Sequence, residues 1–192
     1  MSDSCLGYVT TATSILAALG DAQPSWLTLP PADVEMPEQL RGALEEFDAG
    51  KRASARAASV WLRGEALMAY ATARTRLLVG EGRVAGFYSL ASAQVALSQR
   101  DRRRLGVAPV QAPAVLVAWI AKDTRADIDG KTLLLHAAAT ARRAATMQAT
   151  SVLVVDPYDQ ETAVMWRGRY GFRPAAGSAQ GGRLWLPLQA LG

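Results

Sequence analysis

The chain is poor in the residues that usually carry metal, redox and nucleophilic chemistry. Its 192 residues include one cysteine, Cys5, one histidine, His136, and three lysines, Lys51, Lys122 and Lys131. A single cysteine excludes an intramolecular disulfide, and one cysteine with one histidine excludes metal sites built on Cys/His clusters, so no metal is expected. A Cys–His or Ser–His–Asp nucleophile would have to use His136, which lies in an alanine-rich helical run and reads as structural. Long hydrophobic runs are also missing. The apolar stretch at 12–19 is too short to span a bilayer and has no basic region before it, so neither a signal peptide nor a membrane helix is predicted. A cytoplasmic protein with no membrane partner is expected.

Half of the residues are apolar and 20% are charged, the balance of a soluble domain able to bury a core. The basic residues are almost all arginine. A formal net charge of +4 favours anionic partners such as RNA, CoA or an acidic protein.

Periodicity divides the chain. Residues 1–20 are small and apolar and predict a short helix ending at Gly20. Residues 22–39 contain four prolines and read as a linker or wrapping arm. The expected division is therefore an arm at 1–38 and one domain at 39–192. Leu40, Leu44 and Phe47 have helical spacing, and Val60, Trp61, Leu62, Ala66, Leu67 and Tyr70 predict a second amphipathic helix. The period then changes. Two strand-like runs, 76–79 and 83–90, flank Gly80-Glu81-Gly82 as a hairpin, and a third extended stretch covers 91–97. Residues 98–113 read as a basic loop with two prolines. The continuous apolar run at 114–122 predicts a central strand buried on both faces. A helix at 131–148, a buried strand at 151–156, a helix at 159–169 and a last strand at 182–188 complete a mixed α/β arrangement. One parallel crossover is expected within it.

The segment "RADIDGKTLLLHA", 125–137, supports two rival readings. Gly130-Lys131-Thr132 before a helix is the end of a nucleotide phosphate loop, and Asp156 at a strand end would suit magnesium. That loop requires a glycine five residues before Gly130, however, and the position holds Arg125, so the nucleotidase reading fails on spacing.

The second reading covers more of the chain. The GNAT superfamily of N-acetyltransferases carries Arg/Gln-x-x-Gly-x-Gly/Ala after its central strand, then two leucines. Arg125, Gly130 and Leu133-Leu134 occupy those places here. Downstream, Ala163-x-x-Trp166-Arg167-x-x-x-Gly171-Phe172 is similar to the family ending Ala-x-x-Phe-Tyr-x-x-x-Gly-Phe. Over about residues 40–188 the chain most resembles the acetyltransferase toxins of type II toxin–antitoxin pairs. Phe47 and Gly50 match their Phe-x-x-Gly, and Trp61-Leu62 their Trp-Leu helix. Gly86-Phe87-Tyr88-Ser89-Leu90 matches Gly-Tyr-Tyr-x-Leu, and Ile120-Ala121-Lys122-Asp123 matches Leu-Ala-Val-Asp.

This resemblance implies the GNAT fold, an α/β (mixed α+β) architecture with a central, mostly antiparallel mixed sheet flanked by helices. It implies acetyl-CoA as donor, the amine of an aminoacyl-tRNA as acceptor, and a small DNA-binding antitoxin and a second copy of the chain as further partners. The pantetheine arm would lie along Ile120, Ala121 and Lys122. The diphosphate would rest on Arg125, Ile128, Asp129, Gly130, Lys131 and Thr132, where a helix start favours anions. Arg100, Arg102, Arg103 and Arg104 would meet RNA phosphates, with Tyr88 in the acceptor pocket.

Three departures oppose this. Ile128 replaces the first family glycine. Asp127 and Asp129 place carboxylates beside an anionic ligand, each repulsion being about 3–4 kcal/mol before screening at an effective dielectric of ~20. Arg167 stands where the family has its tyrosine, and a guanidinium cannot protonate a departing thiolate, although its charge can stabilise one. A catalytically silent GNAT-fold protein that binds RNA or a protein partner is therefore the alternative expectation.

Overall fold

The computed structural model of the chain describes residues 12–147, 149–178 and 182–190, so Cys5 and the first part of the expected N-terminal helix lie outside the described residues. The described residues form two compact units, 12–87 with 121–128 and the described part of 88–120 with 129–190. A seven-stranded sheet runs through the elements in the order β1-β2-β3-β4-β5-β7-β6.

In the first unit, helix α1 (Ala12–Gly20) leads to strand β1 (Ser25–Thr28), followed by α2 (Glu38–Glu45), α3 (Ala53–Gly64) and strand β2 (Ala73–Gly80). The proline-rich stretch contributes β1 to the sheet. β1 pairs antiparallel with β2, Leu27 facing Leu77, and both Leu27 and Leu29 are buried. Its prolines fall outside the four paired residues, and an edge strand needs partners on one side only, so they cost no ladder bonds. The second predicted helix stops at Gly64, and Met68–Ala71 forms a 3-10 turn instead. The β2 hairpin turn has positive φ at both Glu81 (51°) and Gly82 (73°), the geometry whose twist suits a two-residue hairpin. Leu40, Leu44, Phe47, Leu62 and Leu77 fill the core. There Phe87 meets the edge of Phe47 at 5.4 Å and stacks with Trp61 at 5.9 Å.

Strand β3 (Arg83–Ala96) is one continuous strand, not two. Residues 99–105, expected as loop, form helix α4 (Gln99–Leu105). Its arginines provide no apolar stripe, and its ends define it instead. Ser98 Oγ accepts the Asp101 N–H at 3.1 Å, and Gly106 closes the helix in the left-handed region at φ 66°.

Strand β4 (Gln111–Lys122), helix α5 (Gly130–Met147) and strand β5 (Val152–Val155) form the expected parallel unit, with Ala114 facing Val152 and Val117 facing Val155. Helix α6 (Gln160–Tyr170), strand β6 (Arg173–Pro174) and strand β7 (Leu184–Pro187) follow, and β7 pairs antiparallel with β5. β5 is buried along its whole length because each face meets a different layer. Leu153 and Val155 join Leu134, Ala138 and Trp166, whereas Val152 and Val154 join Val95, Ala114 and Trp185. The alternation follows from the two-residue period of a strand.

Candidate functional site

β4 ends in a buried acid. Asp123 is completely enclosed, and a carboxylate there is tolerable only when its charge is paired and its lone pairs are filled. It accepts four hydrogen bonds. Arg125 provides its backbone N–H at 2.8 Å, Nε at 2.9 Å and Nη2 at 2.9 Å, and the Asp48 N–H adds the fourth at 2.9 Å. Burial pushes the Asp123 carboxyl up, but the Arg125 hydrogen bonds, the backbone donors and the guanidinium charge outweigh it and hold the group below its ordinary value. Hydrogen bonding to Asp123 raises Arg125 in turn.

The same cluster ties down the loop at 46–50. Thr124 N–H donates to the Asp48 carbonyl at 2.8 Å, Arg125 Nη2 to the Glu46 carbonyl at 2.6 Å and Arg63 Nη2 to the Phe47 carbonyl at 2.6 Å. Gly50 sits at φ +115°, a conformation for glycine, and a Cβ there would stand 3.3 Å from Thr124 Cγ2. Phe47 and Gly50, noted in the sequence as a pair, thus have separate reasons: one fills the core and the other permits the turn.

Arg125 was expected to bring positive charge and an N–H to a diphosphate; its N–H, Nε and Nη2 are engaged by Asp123 and Glu46, and its side chain is nearly half exposed. Ile120 and Ala121 are half-buried at the end of β4, and exposed Lys122 spans the loop that follows, its Nζ donating to the Ile128 carbonyl at 3.0 Å. Ile128 is half-buried.

Gly130 opens α5, and a Cβ built on it would meet nothing within 4 Å. Thr132 N–H donates to the Asp129 carbonyl at 2.9 Å, and Lys131 N–H to Asp129 Oδ1 at 3.0 Å. Asp129 therefore caps the helix whose start was expected to hold an anion. Arg169 Nη2 lies 3.1 Å from the same oxygen, a contact between α6 and the head of α5 that no local sequence signal announces. The side chains of Lys131 and Thr132 are exposed.

α6 starts at Asp159, whose Oδ1 accepts the Thr162 N–H at 2.7 Å, and ends at Gly171 with φ 73°. Phe172 N–H reaches back to the Trp166 carbonyl at 3.3 Å, a Schellman-type closure. Trp166 packs against Tyr170 at 5.2 Å and Phe172 at 5.1 Å, and Arg167, the next residue along the helix, is exposed. Burial raises the Tyr170 phenol, against the opposing effect of Arg169.

Tyr88, expected at the acceptor, lies on β3. It is fully buried, with its hydroxyl 2.9 Å from His136 Nδ1 and 2.8 Å from Thr140 Oγ1, and it joins β3 to α5. The basic cluster is similarly divided. Arg100, Arg103 and Arg104 are exposed on α4, whereas Arg102 is half-buried and donates to the Ala108 carbonyl at 2.8 Å, a structural bond that closes the turn after α4. Asp156, the magnesium candidate of the rejected reading, is held by both Nε and Nη2 of Arg183 at 2.8 and 2.6 Å. Among the described residues no group of three or more His, Cys, Asp or Glu side chains could hold a metal, and no helix is long and apolar enough to cross a membrane.

No protein-family model matches the chain, and no curated protein matches it in sequence. Solved structures do match. AtaT complexed with acetyl-methionyl-tRNAfMet is 19% identical, with a TM-score of 0.69 over 88% of this chain and 97% of that one. A tyrosine-to-phenylalanine variant of KacT is 18% identical, with a TM-score of 0.68 over 88% and 98%. A corresponding variant of the AtaT toxin, bound to the C-terminus of the antitoxin AtaR and acetyl-CoA, is 18% identical, with a TM-score of 0.64 over 88% and 96%. With its parallel β4–α5–β5 unit inside a mostly antiparallel sheet, the chain has the GNAT fold of AtaT and KacT.

Proposed function

We propose that the chain is an acyl-CoA-dependent N-acetyltransferase that acetylates the amine of an aminoacyl-tRNA. The observation that carries the reading is the passage from β4 into α5 at Gly130, on a fold shared with a toxin that has been captured with acetyl-CoA and with acetyl-methionyl-tRNA. A helix start supplies N–H groups beyond the reach of its own carbonyls, and its dipole favours anions. The open space at Gly130 admits a close approach of phosphate oxygens, so the donor set fits a diphosphate. The peptide groups of Ile120, Ala121 and Lys122 would orient the donor arm along the strand. Ile128, Gly130, Lys131 and Thr132 would hold the diphosphate, with Asp129 displaced from its cap. Exposed Arg100, Arg103 and Arg104 would meet tRNA phosphates. A small DNA-binding antitoxin is the protein partner that this function implies.

The chemistry is attack of a neutral amine on the thioester carbonyl, with expulsion of the CoA thiolate. Arg167 would stabilise that thiolate by charge rather than protonate it. Arg167 and the Asp129 cap also favour a second reading, a silent GNAT-fold protein that binds RNA or a protein. Calorimetry separates the two. The enzyme reading expects saturable heat on titration with acetyl-CoA, followed by transfer of label to an aminoacyl-tRNA. No heat at about 1 mM ligand, a concentration that detects binding of only ~4 kcal/mol, leaves the silent reading.

A further inference from the structure

Arg169 falls at an unspecified position of the family ending, yet it reaches the head of α5. Its Nη2 lies 3.1 Å from Asp129 Oδ1, and the same oxygen accepts the Lys131 N–H at 3.0 Å. A guanidinium on α6 and a backbone donor at the start of α5 thus converge on one anionic oxygen. Resting on the transferase reading above, we infer that Arg169 is a donor-binding residue, the cation that meets the CoA diphosphate at the start of α5.

An oxygen that accepts the Lys131 N–H is within hydrogen-bond reach of Arg169, whichever molecule supplies it. Asp129 supplies it as the cap of the helix. A phosphate oxygen in the same place would meet the same two donors, and a guanidinium fork suits phosphate as well as carboxylate. Both side chains of the Arg169–Asp129 pair are more than half exposed. Their attraction is therefore screened by water and weak, and the carboxylate can swing away without stranding a buried charge. A diphosphate also carries more negative charge than the carboxylate it would displace, so the exchange favours the ligand. Arg169 is steadied for this role by the Tyr170 ring, whose centroid lies 5.5 Å from its guanidinium carbon, and Tyr170 in turn packs on Trp166. Arg125, from which the motif expected this charge, has its Nε and Nη2 on Asp123.

The test titrates acetyl-CoA by calorimetry into the full chain and into Arg169→Gln, Arg169→Lys, Asp129→Asn and the double variant Asp129→Asn/Arg169→Gln. Arg169→Gln is expected to weaken binding about tenfold, the usual worth of a hydrogen bond between charged groups. Arg169→Lys should lose less, because it keeps the charge but not the fork. The same tenfold step is expected between Asp129→Asn and the double variant. A cation that merely neutralised Asp129 would have nothing left to do once that residue is Asn, so disappearance of the step overturns the inference. Acetyl-dephospho-CoA, which keeps the diphosphate, should show the full loss, and acetyl-pantetheine, which has no phosphate, should bind wild type and Arg169→Gln alike. A loss absent with acetyl-dephospho-CoA would move the contact to the 3′-phosphate, and a loss shared by acetyl-pantetheine would mean general damage; either result overturns the inference. A wild-type chain that binds no acetyl-CoA removes the transferase reading and this inference together. Wild-type binding that Arg169→Gln leaves unchanged removes only the inference.

Discussion

At the scale of single residues, Arg167 and Asp123 carry opposite lessons. Arg167 is exposed and lies in a helix whose buried side is set by Ala163 and Trp166. Arg167→Tyr should therefore fold normally, and if only the acid is missing it should raise thioester turnover by ~10²–10⁴-fold, the usual worth of general-acid help. A continuous thiol-release assay would read this directly. Asp123 is enclosed, and its titration is coupled to folding. Its folded-state value lies below the ordinary 3.8, so its contribution is fully present above that pH and is lost as pH falls through the lower folded value. Urea denaturation should show stability declining below about pH 4. Asp123→Asn should flatten that part of the curve while costing roughly 1–3 kcal/mol at neutral pH, because the amide's NH2 cannot accept the bonds that one carboxylate oxygen now takes, whereas half-exposed Arg125 is resolvated.

At the scale of elements, the ends of helices decide more than their middles. α4 has no apolar periodicity, but Ser98, Asp101 and Gly106 define its limits. The head of α5 is the more consequential end. Asp129 there supplies the cap through Lys131 N–H and pairs with Arg169. Asn caps as well as Asp but carries no charge. Asp129→Asn should therefore keep the helix and tighten acetyl-CoA by a few-fold, in line with ~0.2–1 kcal/mol for an exposed charge interaction. Calorimetry on the two proteins side by side gives the difference. An unchanged affinity would mean that the carboxylate already moves clear of the ligand at no cost.

At the scale of the whole molecule, a net charge of +4, carried mostly by arginine, would make binding to the proposed RNA acceptor dependent on salt. Exposed Arg100, Arg103 and Arg104 should each add to the slope of log affinity against log salt, by ~0.7–0.9 per phosphate neutralised. Replacing all three with alanine should reduce that slope by about two to three and weaken all tRNAs alike, as measured by anisotropy over a salt series. Arg102→Ala should behave differently and lower stability through the lost bond to Ala108.

How much of this was legible in the chain follows from what each feature depends on. The amino-acid order alone determined the runs that became β2, β4, β5, α5 and α6, because the periods of strands and helices are written in successive residues. It also determined the β2–β3 turn, through Glu81-Gly82, and the closing glycine of α6. It misled where punctuation overrode period: four prolines hid β1, and four arginines hid α4. Only tertiary structure decided that Asp123 is buried, that Arg125 turns inward to it, that Asp48 comes to it across 75 residues and that the Tyr88 hydroxyl is spent on His136 and Thr140. The physical reason is that a hydrogen bond is set by distance through space, and a side chain's nearest partner there need not be near it along the chain.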